Sequence, residues 1–219
     1  MPQVLPPSVR TYKPRRGRVT PRQQRGLREG AAFLLNSDST IRTQWPSGQP
    51  LILEIGFGTG EATATMAAAD PHTDVLAVDV HTPGVGDLLG RIVDEQLTNL
   101  RVIEGDALEV LESCIDDASL AGVRSYFPDP WQKARHAKRR LVQPPILALI
   151  ATKLRPGGTW WIATDWAEYA DVITEAFGSA PGWSGGVIAR PEDRPLTRYE
   201  RRGISAGRDI TDFAWVRTP

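Results

Sequence analysis

At 219 residues, 41 % of them hydrophobic, the chain is long enough to bury a core without covalent staples, and its length fits one large domain with appendages. One cysteine, Cys114, excludes an internal disulfide framework, and His72, His81 and His136 lack the spacing of metal ligands, so no metal is expected. The opening MPQVLPPSVR has no apolar stretch, and the longest clean apolar run, Ile146 to Ala151, has six residues. Neither a signal peptide nor a membrane span is expected, and the cytoplasm is the expected compartment.

Equal totals of 26 basic and 26 acidic residues hide an uneven distribution. Residues 1–30 carry eight basic side chains (Arg10, Lys13, Arg15, Arg16, Arg18, Arg22, Arg25, Arg28) against Glu29 alone. Residues 51–120 carry fourteen acids against Arg91 and Arg101, and residues 131–140 hold five basic residues and no acid. A basic tail and patch on an acidic body fit a polyanionic partner; a solvated tail that binds nothing is the alternative.

In chain order, residues 1–27 are rich in Pro and Arg and are expected to form a basic, flexible arm, with 28–219 as a single domain. A short helix is expected from about Arg28 to Leu35, then a loop over 37–50. Strands are predicted at 51–56, 74–80, 100–106, 123–130 and 159–165. Helices are predicted at 61–69, from a Thr82-Pro83 cap to about Leu97, at 108–115, at 140–158 with a Gly-Gly stop, and at 167–177. Segments 185–190 and 210–217 are candidate closing strands. Alternating β and α units imply an α/β fold, a doubly wound, mostly parallel sheet with helices on both faces and ligands at the strand C-termini.

The first of those strand ends reads LEIGFGTG, placing Gly56, Gly58 and Gly60 where the backbone turns sharply and a ligand approaches main-chain atoms. A dinucleotide fingerprint would need glycine at position 61, which is Glu here and sits badly against a pyrophosphate. Glu54 with this glycine pattern suits a cationic cofactor without phosphates, and S-adenosylmethionine carries an ammonium and a sulfonium. Asp79, nineteen residues after Gly60, ends the second strand where a carboxylate can hold ribose hydroxyls. Asp106 ends the third, where a side-chain oxygen can accept from an adenine amino group. Taken singly, the glycines could form only a tight turn and each aspartate only a helix cap.

After the fourth strand comes FPDPWQKARHAKRRLV (127–142). Two prolines hold Asp129, whose carboxylate can accept from guanine N1–H and N2–H₂ together, and the Trp131 ring can stack a base for about 1–3 kcal/mol. Lys133, Arg135, Lys138, Arg139 and Arg140 suit flanking phosphates. A rigid turn followed by a solvated helix face is the plainer reading of the same residues.

RRGRVTPRQQ (15–24), LEIGFGTGE (53–61), VDVHTPGVG (78–86), FPDPWQKARHAKRR (127–140), ATDWAEYA (163–170) and RPLTRYERRG (194–203) together resemble the bacterial tRNA (guanine-N7)-methyltransferases over nearly the whole chain. The resemblance implies a Rossmann-like class I methyltransferase fold and methyl transfer from S-adenosylmethionine to a guanine in the tRNA variable loop. It implies Glu54, Asp79, Asp106 and Asp129 as cofactor contacts, with Asp129 also the catalytic residue. Lys133, Asp165 and the stretch Thr197, Arg198, Tyr199 and Glu200 are implied as substrate contacts. Asp79 stands where the family usually has Glu, one methylene longer. No obligate protein partner is expected, and both monomer and homodimer stay open. Rival readings are an NAD-dependent oxidoreductase, a non-catalytic RNA-binding protein, and a methyltransferase acting on DNA or protein.

Overall fold

The computed structural model describes residues 11–12, 17–36, 41–45 and 48–219, so the loop expected over 37–50 and most of the arm lie partly outside the described residues. The strands are β1 (Leu34–Leu35), β2 (Leu51–Ile55), β3 (Asp74–Asp79), β4 (Leu100–Glu104), β5 (Leu120–Tyr126), β6 (Leu154–Thr164), β7 (Trp183–Ile188) and β8 (Thr211–Arg217). The helices are α1 (Pro21–Glu29), α2 (Glu61–Ala69), α3 (Thr82–Asp94), α4 (Ala107–Ser113), α5 (Pro144–Lys153), α6 (Ala167–Gly178) and α7 (Arg198–Ser205), with 3-10 turns at Ala31–Phe33, Ile41–Gln44 and Ala134–Arg139.

All eight strands join one sheet in the order β1-β4-β3-β2-β5-β6-β8-β7. Strands β1 to β6 run parallel, and β8 pairs antiparallel with both β6 and β7. The chain winds outward from β2 through β3 to β4, then returns to the other side of β2 as β5. The crevice at that reversal, outside the strand C-termini, is where such sheets bind ligands.

Alternate residues of the strands feed two cores. Leu53, Leu76, Val78, Val123 and Trp160 pack beneath α4, α5 and α6, whereas Val75, Ala77 and Val102 pack beneath α2 and α3. On the α6 side Phe177 stacks on Trp215 with ring centroids 4.5 Å apart and meets Trp183 edge-on at 5.1 Å, which fastens the antiparallel β7–β8 pair.

Several boundaries differ from the sequence expectation, each for a local reason. The helix expected near 28–35 begins earlier, at Pro21. Thr20 accepts from the Gln23 amide while the Gln23 side chain accepts from the Thr20 amide, and proline opens the first turn. Residues 21–27, expected to be part of the arm, therefore lie in a capped helix. α1 seats on α3 through glycines: a Cβ on Gly26 would stand 2.0 Å from the Gly86 carbonyl oxygen. Thr82 is not the cap of α3 but its first residue; His81 precedes it without a side-chain cap. The long helix expected over 140–158 is only α5, because Pro144 and Pro145 are tolerated only in a first turn and Pro156 drives Arg155 out of helical geometry. Residues 154–158 instead lead the eleven-residue β6, with a register shift against β5.

Candidate active site

Because β2 to β6 are parallel, their C-terminal ends bring Glu54, Asp79, Asp106, Asp129 and Asp165 to one edge of the sheet. Glu54 is 3 % exposed. Its Oε1 accepts from the Thr63 hydroxyl on α2 at 2.8 Å, while Oε2 is buried with no hydrogen-bond partner among the described residues. Burial pushes the carboxyl up; the Arg124 charge and the Thr63 bond oppose this, and the Asp79 charge adds to it. Arg124 is the register partner of Glu54 on β5, a neighbour set by sheet pairing across seventy residues of chain.

The glycine loop follows directly. Gly56, Gly58 and Gly60 all have φ between 63° and 77°, the left-handed region in which a side chain is strained. At Gly56 and Gly58 a Cβ would meet none of the described residues within 4 Å, so they leave the backbone there open, whereas at Gly60 it would strike Leu88 at 2.7 Å. Asp79 closes the loop: Oδ2 accepts from the Gly58 amide at 2.8 Å and Oδ1 from the His81 amide at 3.0 Å. Burial raises the Asp79 carboxyl, and those two amides counteract it. Asp106 caps α4 by accepting from the Leu108 amide at 2.9 Å, the cap role weighed as its alternative in the sequence. A carboxylate has about four acceptor positions, so neither aspartate is saturated by these bonds.

Beyond β5 the chain is held at both ends of the PDP turn. Phe127 has φ +56° and donates its amide to the Ala163 carbonyl at 2.7 Å, and Trp131 has φ +45°. Arg140 was expected to meet phosphate but is buried. Its Nε donates to the Pro130 carbonyl at 2.8 Å, its Nη2 meets Glu168 at 2.9 Å, and its guanidinium lies 5.2 Å from the centre of the Tyr169 ring. Trp131 is also engaged: Arg139 covers one face at 3.9 Å, His136 meets it edge-on, and its indole N–H donates to the Thr11 carbonyl at 3.1 Å. Of the basic run, Lys133, Arg135 and Lys138 stay exposed. Asp129 is half-buried between the two prolines, close enough for its charge to help raise Tyr199, after burial and Asp165.

On the far side stands α7. Thr197 caps it by accepting from the Glu200 amide at 3.2 Å. Glu200, expected at the substrate, is 1 % exposed, and its carboxylate receives Arg194 in a fork at 2.8 and 2.9 Å and Arg190 at 3.2 Å. Burial pushes Glu200 up, but the two guanidiniums outweigh this and hold it low. Arg194 also pairs with Asp212 on β8 and faces the Tyr126 and Phe127 rings, so Glu200 anchors α7 rather than presenting a free acid. Tyr199 is 49 % exposed, packs on Phe127 at 5.2 Å, and its hydroxyl approaches Asp165 at 3.4 Å. Asp165 is buried and held by Arg208 at 2.8 Å. Arg198 is exposed. A cleft of about 380 Å³ opens between Asp165–Glu168 and Gly207–Thr211.

The family described as "Putative methyltransferase" matches residues 48–213, which includes Glu54, Asp79, Asp106, Asp129 and Asp165. A tRNA (guanine-N(7)-)-methyltransferase from Streptomyces coelicolor is 45 % identical over 95 % of this chain and 81 % of its own. The chain belongs to the tRNA (guanine-N7)-methyltransferase family. Another family member, from Paracidovorax citrulli, is 43 % identical over 98 % of this chain and 89 % of its own. Among solved structures the 16S rRNA methyltransferase KamB superposes with a TM-score of 0.60 at 16 % identity, covering 82 % of this chain and 93 % of that one. A 16S rRNA (adenine(1408)-N(1))-methyltransferase variant with cosubstrate SAM gives 0.55 at 15 %, covering 84 % and 92 %. At such identities the likeness shows the fold these proteins share.

Around the family's motif residues stand side chains that sequence reasoning passed over. Thr63, Arg124, Arg190 and Arg208 each hold or face one of the acids, and none has a spacing signal of its own. Arg194 lies within the RPLT segment, but only the β8 pairing shows why it is arginine. Among the described residues no group of three or more His, Cys, Asp or Glu could hold a metal ion, and no helix is long and apolar enough to cross a membrane.

Proposed function

We propose that the protein transfers the methyl group of S-adenosylmethionine to N7 of a guanine in tRNA. The observation that carries the donor half is Glu54 Oε2, a buried carboxylate oxygen without a partner among the described residues, beside a glycine backbone at which those residues leave open space. Arg124 and Thr63 compensate this buried carboxyl only in part, and a cationic ligand would complete it. Glu54, Gly56, Gly58, Gly60, Asp79 and Asp106 would hold the donor. Its sulfonium supplies an electrophilic methyl group when bound.

Guanine N7 has a lone pair and no proton, so no residue need act as a base on the nucleophile, and positioning dominates. Asp129, held between two prolines and a pinned loop, would accept from the guanine N1–H and N2–H₂. Those protons become more acidic as the ring gains charge, so the carboxylate binds the transition state better than the neutral base. Asp165 and Thr197 would bound the guanosine from β6 and α7, with Tyr199 and Arg198 on the open side and Lys133 toward phosphate. Glu200 serves by keeping α7 in place. The acceptor half is supported by the names of the family members, by the exposed lysines and arginine of the 133–138 turn, and by the arginines of the N-terminal segment. The cytoplasm, where tRNA is modified, is the compartment this reading requires.

Calorimetry of the purified protein with S-adenosylmethionine tests the donor half. Saturable heat that vanishes in Glu54→Gln supports it, and equal heat in the variant contradicts it.

A further inference from the structure

α7 stands over the ends of three strands at once. Beyond β5, Tyr199 packs on Phe127; beyond β6, Gly203 is buried against Asp165, where a Cβ would come 3.3 Å from the carboxylate. Beyond β2, Arg201 Nη2 reaches Glu61 Oε1 at 3.8 Å. Glu61 is the first residue of α2 and directly follows Gly60, at which a Cβ would strike Leu88 at 2.7 Å, so its place relative to the glycine loop is fixed. The pair therefore spans the crevice, with the donor-side loop on one bank and the helix bearing Tyr199 on the other.

We infer that Arg201 is a positioning residue for methyl transfer: through Glu61 it holds α7, and with it the guanine side of the pocket, in register with the glycine loop. The inference rests on the donor and acceptor sites proposed above. An exposed arginine on this helix could instead serve only as a phosphate contact, and the two roles separate kinetically. A phosphate contact raises the KM for tRNA and leaves the turnover of bound complex alone. A residue that sets the register of two reacting partners lowers kcat, because misplacement persists at saturation.

Both side chains are partly exposed, at 55 % and 39 %, so a single loss moves kcat by no more than about fivefold. The test is a cycle of Arg201→Gln, Glu61→Gln and the double variant, assayed on unmodified tRNA at saturating S-adenosylmethionine, with donor affinity measured by calorimetry. Each single change is expected to lower kcat about threefold, and the double variant is expected to fall no further than the lower single. Independent effects that multiply to about ninefold overturn the inference, as does an Arg201→Gln variant whose only change is a raised KM. A wild-type protein that takes up no donor overturns the reading beneath it instead, and the calorimetric arm tells the two failures apart.

Discussion

Replacing Glu54 by glutamine is expected to make the ligand-free protein more stable while removing its affinity for the donor. Glu54 is 3 % exposed, one carboxylate oxygen is satisfied by Thr63 at 2.8 Å, and the other is buried with no partner among the described residues. Leaving a buried polar atom unsatisfied costs about 1–3 kcal/mol, more when it is charged. Glutamine keeps the carbonyl for Thr63 and places a neutral amide where the unpaired oxygen was. The gain should be about 1–2 kcal/mol, net of the attraction to Arg124 that is lost. In a chain of this size that raises the melting temperature by about 2–8 °C.

The sign of the pH dependence follows from burial. The folded-state pKa of Glu54 lies above the ordinary value of 4.5, so the folded protein keeps this proton to a higher pH than the unfolded chain does. Stability conferred by this group is then highest below 4.5 and falls as pH rises through the folded value. The advantage of Glu54→Gln should grow as pH rises through the folded value and shrink toward pH 4.5. Thermal unfolding of both proteins across that range, without ligand, reads it directly. A glutamine variant that melts below the wild type at pH 7 would refute the reasoning, since it would mean that the carboxylate is already satisfied.

Other substitutions probe the remaining parts of the site. Asp129→Asn should lower kcat about a hundredfold or more with a smaller change in donor affinity, as read by single-turnover transfer and calorimetry. Arg140→Leu deprives the Pro130 carbonyl and Glu168 of their partner; urea unfolding should show a loss of about 1–3 kcal/mol, and kcat should fall more than donor affinity. Gly26→Val cannot fit beside Gly86, so hydrogen exchange over 21–29 should lose protection while the sheet keeps its own. Removing residues 1–19 leaves α1 intact and deletes four arginines and a lysine; it should raise the KM for tRNA more than it lowers kcat, and the dependence of affinity on salt should become shallower.

The central sheet was legible because apolar runs of five to seven residues alternate with helical spacing, and the ends of α2 coincide with its expected bounds. Local rules failed where two competed. The proline-rich stretch after Arg140 carries a helical apolar pattern, yet the backbone limits of Pro144, Pro145 and Pro156 cut it to ten residues. Thr20 and Gln23 form a capping box that the arginine-rich composition masked. The acids of the site were readable because strand ends are readable, but their partners were not. Arg124 faces Glu54 only through parallel register, Arg140 turns inward only because Tyr169 and Glu168 meet it, and Glu200 is buried only because Arg194 reaches it from the preceding loop. Such neighbours are fixed by tertiary packing, which leaves no periodic trace in sequence.

The most direct test of the account is transfer of labelled methyl from S-adenosylmethionine to unmodified bulk tRNA by the purified protein, followed by chain cleavage at 7-methylguanine. The expected result is label in tRNA and cleavage at a single guanine in the variable loop, both forming about a hundredfold or more slower in Asp129→Asn. Unlabelled tRNA, or label at any other atom, would contradict it.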